Sequence, residues 1–449
     1  MSQPRVLRMA AGAGYSGDRI EPAADLAQRG RLDYLVFECL AERTIADAQL
    51  RRWADPSGGY DPFLDARITA VLDACRRNGT RIISNMGAAN APAAAQRVRK
   101  IAAEMGHADL CVATVTGDDV LDICRKQDVT LDNGLTFRAL GARVISANAY
   151  LGAAPIAAAL AQGADIVLTG RVSDPALFLA PLIHEFGWSM TDWDLLGKGV
   201  LIGHLLECAG QLCGGYFADP GYKDVPDMAR LGFPLAEVTA DGLAEFSKLA
   251  GTGGRINSAT AKEQVLYEIH DPARYLQPDV VADFSKVTVL ETGQDRVRVT
   301  GASGTARTGM LKVSVSYHDG FIGDGQISYA GPGAVERGRL ALEILRERLA
   351  AIDAMQDARF DLIGLDALHG TNLSRGTLPY EVRVRVTARA PSADIAARVG
   401  HEVEALYTNG PAGGGGAVKT VRPGVALASA FIHESQAPAR VVMLGRASA

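Results

Sequence analysis

Residues 165–175 read DIVLTGRVSDP, and the reading of this stretch decides the fold. Asp165–Thr169 is a short apolar run bounded by turn signals, which predicts a buried strand. Gly170 permits a sharp turn off its end. Ser173 or Asp174 is a good N-cap, and Pro175 suits the first position of a helix over 175–185. The same grammar recurs upstream. Strands are expected at 5–10, 32–38, 81–85, 110–115 and 144–147, with helices at 21–29, 63–77, 91–105, 118–126 and 155–162 between them. Six alternations at this spacing fit right-handed crossovers, so the N-terminal part is expected to be a mostly parallel sheet covered by helices.

The pattern then loosens. Residues 195–284 are irregular and rich in Gly and Pro, and from about 285 apolar and polar residues alternate with period two. Antiparallel strands are expected there, with helices over 334–349 and 395–406. The fold class is α/β, with an α/β domain over 1–284 followed by an α+β domain over 285–449. A chain of 449 residues has ample length for two such cores.

Composition narrows the function. A net charge of −5 without a clustered basic stripe argues against nucleic acid as a partner. The N-terminus lacks a signal-peptide apolar region, and no apolar run reaches the roughly 18 residues of a membrane span. Six cysteines in this length are not a disulfide framework, and Cys39, Cys75, Cys111 and Cys124 sit inside apolar patterns. A reduced, cytoplasmic homo-oligomer with a small-molecule substrate is expected, with no nucleic-acid or membrane partner.

In a parallel α/β sheet, ligands bind beyond the carboxyl ends of the strands. That rule collects GAGYSGDR (12–19), Glu38 with Glu42, Ser84–Asn90, Thr116–Asp119, Asn148–Gly152 and Thr169–Pro175 on one rim. The first contains a literal G-x-G-x-x-G, and Glu38 stands about where a ribose-binding acid belongs. Against a dinucleotide, Asp18 puts negative charge where a pyrophosphate should sit, and the next helix starts late. A tight turn with Asp18 and Arg19 as a structural pair, or an active-site loop, remain open. Arg171 beside a helix start suits a carboxylate or phosphate, though Ser173-Asp174-Pro175 equally well only begins that helix. Asn85, Asn90 and Asn148 offer amides to a carbonyl or oxyanion, and asparagine is also a common turn former. His204 and Glu207 share a helix face and could move protons, but they make no convincing metal set with Cys208 and Cys213. Gly413–Gly416 could admit a phosphate-bearing ligand or form a flexible loop.

With these stretches assembled, the chain resembles the acyclic terpene utilisation family. The resemblance is carried by GAGYSGDR, SNMGAANAP (84–92), TGRVSDPALFLAPLIHEFGW (169–188), CGGYFADPGYKDVPD (213–227), EQVLYEIHDPARYLQPDVVADF (263–284) and YTNGPAGGGG (407–416). It implies a part in the breakdown of acyclic terpenols through branched, carboxylated acyl-CoA thioesters. The expected function is an enzyme working on such a thioester by a hydratase, lyase or isomerase-like step. Coenzyme A enters only as part of the substrate, and neither nicotinamide nor metal takes part. The residues themselves assign catalysis to Asp18, Glu38, Asn85, Asn148 and Arg171. Binding falls to Gly14, Ser16, Gly17, Arg19, Asn90, Gly170, Ser173, Asp174, Gly413 and Gly414. The alternatives are a nicotinamide oxidoreductase using GAGYSG and a non-catalytic partner subunit of the same pathway.

Overall fold

The computed structural model describes residues 5–445, apart from 375 and 377. The first half follows the expected alternation. β1 (Val6–Ala13), α1 (Glu21–Arg29), β2 (Tyr34–Phe37), α2 (Glu42–Ala54), α3 (Leu64–Asn78), β3 (Arg81–Ser84), α4 (Ala91–Glu104) and β4 (Val112–Thr116) come first. After α5 (Leu121–Gln127) and α6 (Phe137–Leu140) come β5 (Val144–Ala149), α7 (Ala154–Ala161), β6 (Ile166–Thr169), α8 (Ala176–Phe186) and α9 (Trp193–Glu207). Strands β2, β5 and β6 are buried at every residue, as strands covered on both faces must be.

The parallel strands run in the order β1-β2-β3-β6-β4. From β1 to β4 the chain moves one way, then β6 turns back into the gap beside β3. Right-handed crossovers therefore place α1, α3 and α4 on one face and α7 on the other. Packing agrees: α1 meets α3 and α3 meets α4, while α7, α8 and α9 form their own row.

Antiparallel strands extend both edges. β7 (Pro234–Thr239) pairs with β1, followed outward by β8 (Ala244–Lys248). After α10 (Ser258–Leu266), β9 (Tyr275–Leu276) and β10 (Val281–Asp283), the hairpin β11 (Thr288–Gly293) and β12 (Arg296–Thr300) continues this edge. β13 (Ser303–Thr305) joins β9 and β10 in a small sheet. The remaining elements are β14 (Met310–Ala330), α11 (Ala334–Ala350), β15 (Gln356–Ile363), α12 (Gly370–Leu373), β16 (Glu381–Ala390), α13 (Ala393–Asn409), β17 (Gly415–His433) and β18 (Arg440–Leu444). β18 pairs with β4 at the far edge of the large sheet.

The chain divides into two compact units: Met1–Gly141, Ile145–Ser316 and Leu427–Ala449 in one, and Ala142–Val144 with Tyr317–Ala426 in the other. The change of period near 285 does not mark this division, because β11 and β12 belong to the first unit's sheet. The second unit has its own core, in which α11 and α13 bury Leu342, Leu345, Val399 and Val403 with Val382, Val384 and Val386 of β16.

Two local expectations are corrected. β5 leaves the parallel sheet and pairs with β14, where the Ser146 and Ser316 hydroxyls meet at 2.6 Å and the Tyr150 N–H donates to the Lys312 carbonyl at 2.9 Å. A fully buried run carries no period to say which sheet it joins. The second concerns α8, whose first turn has no side-chain cap. The Ser173 hydroxyl donates instead to Gln277, and Asp174 pairs with Arg171.

Asp279 shows how the 263–284 block is tied in. Both its carboxylate oxygens accept the Ala153 N–H, at 3.0 Å each, at the start of α7. Burial pushes its pKa from 3.8 up to about 6, against that hydrogen bond and the charge of Arg307. The folded state then holds a proton more tightly than the unfolded chain. Stability from this group is present below pH 4 and lost as pH rises through about 6, up to about 3 kcal/mol. Asp279→Asn does not titrate, so its melting temperature relative to wild type is expected to rise steadily from pH 4 to 7. A difference that is flat with pH, read by calorimetry, would contradict this.

Candidate active site

The carboxyl ends of β1 and β2 open into a cavity of about 1210 Å³ lined entirely by residues of the first unit. Its walls come from the 14–19 loop, Glu38–Thr44, Tyr150, Ser173–Pro175, the end of α9, residues 215–233 and 267–278, and Met310 with Lys312. Leu231, Phe233, Tyr267, Tyr275, Leu276 and Phe431 make much of the wall apolar.

The glycine loop forms part of the cavity wall. Gly12 lies inside β1, where a Cβ would fall 2.6 Å from the Phe37 ring. Gly14 has no room either, since a Cβ there would fall 2.5 Å from the Cys208 backbone. Asp18 takes the Gly14 amide itself, at 2.9 Å, and the Arg19 amide at 2.8 Å. Two main-chain amides of this loop are thus bonded to an internal carboxylate. Burial raises the Asp18 pKa against those two bonds and against Arg67 and Arg19. From below, fully buried Arg67 donates to the Ser16 carbonyl at 2.6 Å and to the Asp18 carbonyl at 3.2 Å, and it pairs with Asp61 at 3.2 Å. Arg19 lines the cavity and donates to the Ala229 carbonyl at 3.0 Å.

Glu38 stands just beyond β2 at the cavity wall. Its Oε1 accepts the Leu40 N–H and the Asn85 amide, both at 2.8 Å, while the Asn85 oxygen takes the Cys39 N–H at 2.7 Å. Burial pushes the Glu38 pKa up to about 6, opposed by Arg171, Asn85 and the Leu40 amide and reinforced by Glu207. Asn85 is fully buried and does not line the cavity, so it aims Glu38.

Arg171 is likewise buried and lies behind the wall. Its guanidinium stacks 4.1 Å from the Tyr150 ring centre and pairs with Asp174. Burial works against its charge, and Asp174, Tyr150, Glu38 and Glu42 more than restore it. Asp174 itself is driven well above the usual carboxylate range by burial and by Glu38, Glu207 and Glu42, which outweigh the pull of Arg171. Burial alone would raise Glu42 too, but the Tyr150 hydroxyl, Arg171 and Lys312 (3.1 Å) hold it at about 2.

The other expected residues fall elsewhere. Asn148 donates to Asp118 at 2.9 Å, and Asp118 also takes the Arg171 N–H at 2.9 Å. Burial lifts Asp118 to about 6, against these two bonds. A Cβ on Gly170 would fall 2.5 Å from Asp118, so Gly170 leaves room for that carboxylate. Asn90 holds the Pro56 and Gly58 carbonyls at 3.0 and 2.8 Å. Neither it, Gly17, Gly170 nor Asn148 lines the cavity. Gly413 and Gly414 belong to the second unit, where Arg337 fixes their loop through the Ala412 carbonyl at 2.9 Å. Gly14, Ser16, Asp18, Arg19, Glu38, Ser173 and Asp174 do come together.

At the end of α9, the His204 Nδ1–H donates to Glu207 at 2.8 Å. Gly203 brings this turn against Pro175, where a Cβ would fall 2.7 Å away. Glu207, Lys312, Tyr275 and Gln277 are wall residues that the strand-end rule did not select, whereas Tyr150 falls in the 148–152 loop that it did. The segments of the first four lie outside the parallel sheet, so that rule has no purchase on them.

Among the described residues no group of His, Cys, Asp and Glu could hold a metal ion, and no helix is long and apolar enough to cross a membrane. No curated protein and no solved structure matches the chain. The family model described as "Acyclic terpene utilisation family protein AtuA" matches residues 7–443. That span takes in every residue of the cavity wall, and the chain belongs to the acyclic terpene utilisation family.

Proposed function

We propose that the protein is an enzyme of acyclic terpene or branched-chain acid breakdown that acts on an acyl-CoA thioester by acid–base chemistry. The observation that carries this reading is Glu38. It is a buried carboxyl with a pKa of about 6, held by Asn85, on the wall of a large and partly apolar cavity. Such a group can both give and take a proton near neutral pH. The apolar wall suits a branched hydrocarbon chain, and family membership supports that choice. No step needs a nicotinamide, and the Gly14 amide that would serve one is already bonded to Asp18.

The test is direct. Purified protein is offered branched enoyl, β-hydroxyacyl and saturated CoA thioesters, and the conjugated thioester absorbance is followed. Appearance or loss of that chromophore is expected with at least one branched substrate. Silence across the panel, with NADH binding that Asp18→Asn strengthens, would favour the oxidoreductase reading.

A further inference from the structure

Among the described residues, six buried side-chain polar atoms have no hydrogen-bond partner: Arg67 Nε, Arg171 Nε and Nη1, His204 Nε2, Glu207 Oε2 and the Tyr329 hydroxyl. Four of them belong to Arg171, His204 and Glu207. An orphaned buried carboxylate oxygen is costly and calls for an explanation, a catalytic role being one. Glu207 lines the same cavity as Glu38. Its Oε1 is fixed by His204 Nδ1–H at 2.8 Å, and its Oε2 is the orphan.

His204 is in turn held from three sides. Its carbonyl accepts from Gln264 at 3.1 Å, and its ring packs on Tyr275 and Phe284 with centroids 5.6 and 6.0 Å away. The ring is thus fixed by packing, its Nε2 unpartnered, while its Nδ1 orients the Glu207 carboxyl.

We infer that Glu207 is the second proton-transfer group of this site, with His204 as its positioning residue, and that the substrate class is a β-hydroxyacyl thioester or its enoyl partner. The inference rests on the acyl-thioester reading. In the elimination direction the Glu207 carboxylate takes a proton from the carbon next to the thioester. The released electron pair forms the carbon–carbon double bond and the β carbon–oxygen bond breaks. The hydroxyl leaves as water with the proton that protonated Glu38 supplies. Hydration is the reverse, and no oxidant or reductant enters. Two separate carboxyls suit this chemistry because one must accept while the other donates.

The experiment uses the full chain, β-hydroxy-β-methylbutyryl-CoA and D₂O. Deuterium entry at the carbon next to the thioester is followed beside water loss. Glu207→Gln is expected to lower both by about 10²–10⁴-fold. Glu38→Gln should lower water loss more than deuterium entry. His204→Asn keeps a donor near the Nδ1 position and should retain most of the exchange, whereas His204→Leu should lose it as Glu207→Gln does, through kcat rather than KM. If Glu207→Gln fails to fold, Glu207→Asp carries the test, with kcat expected to fall and KM to hold. Wild-type exchange in the Glu207 variants would overturn the inference and leave the thioester reading standing. A wild-type protein that turns over only other thioesters would overturn the substrate class. One that neither exchanges nor turns over any thioester would overturn both readings.

Discussion

Glu38→Gln is expected to reduce turnover of the branched thioester by about 10²–10⁴-fold while leaving the fold intact. The substituted amide is nearly the size of the carboxyl, and its oxygen can still accept from Leu40 N–H and Asn85, which now contact Oε1 at 2.8 Å each. Loss of activity would then reflect loss of the proton and not of the pocket. The pH profile supplies a second reading. As the donor in water loss, Glu38 must carry its proton, so kcat/KM in that direction should fall as pH rises through about 6. In Glu38→Gln that limb should vanish from whatever activity remains. A variant that keeps wild-type turnover, or keeps the limb, removes Glu38 from the chemistry.

Arg171→Met should instead be felt in stability, by about 3–5 kcal/mol, since breaking a buried ion pair leaves the partner charge uncompensated. Arg171 is fully buried, and its guanidinium answers Asp174, Glu38 and Glu42 together. Loss of activity in this variant would therefore say little about substrate binding. The informative comparison is the double variant Arg171→Met with Asp174→Asn, which removes both charges and should recover part of the loss. Urea unfolding measures each value. A single Arg171 variant as stable as wild type would show that the buried charge is not needed to balance its neighbours.

These two residues also show what could be read from sequence. The run DIVLTGRVSDP identified a strand, a turn and a helix, and the rule of carboxyl-end loops then led to Glu38, Asp174 and the 14–19 wall. Local patterns carry that information, because a buried strand and a glycine turn are written within a few residues. Whether Arg171 faces a ligand or lies behind Tyr150 is set by side chains more than twenty residues away. No spacing in 165–175 records them. The same holds for Glu207, which lay in plain sight at i,i+3 from His204 but could be ranked only once α9 was placed against Pro175. The placement of β5 beside β14 was illegible for a related reason, since a continuously apolar strand fits any sheet.

Arg67 has a consequence for how a ligand could enter. Its guanidinium draws together the carbonyls of Tyr15, Ser16 and Asp18, so one lip of the cavity is anchored to the protein interior. The wall segment within residues 215–233 carries Tyr216, which is 89% exposed. The two sides of the mouth are thus unequal in mechanical terms. One is a jamb whose movement would break the hydrogen bonds that buried Arg67 makes to its carbonyls. A wider mouth is therefore expected to come from the other side, which would put the doorway and the glycine-loop wall on different parts of the chain.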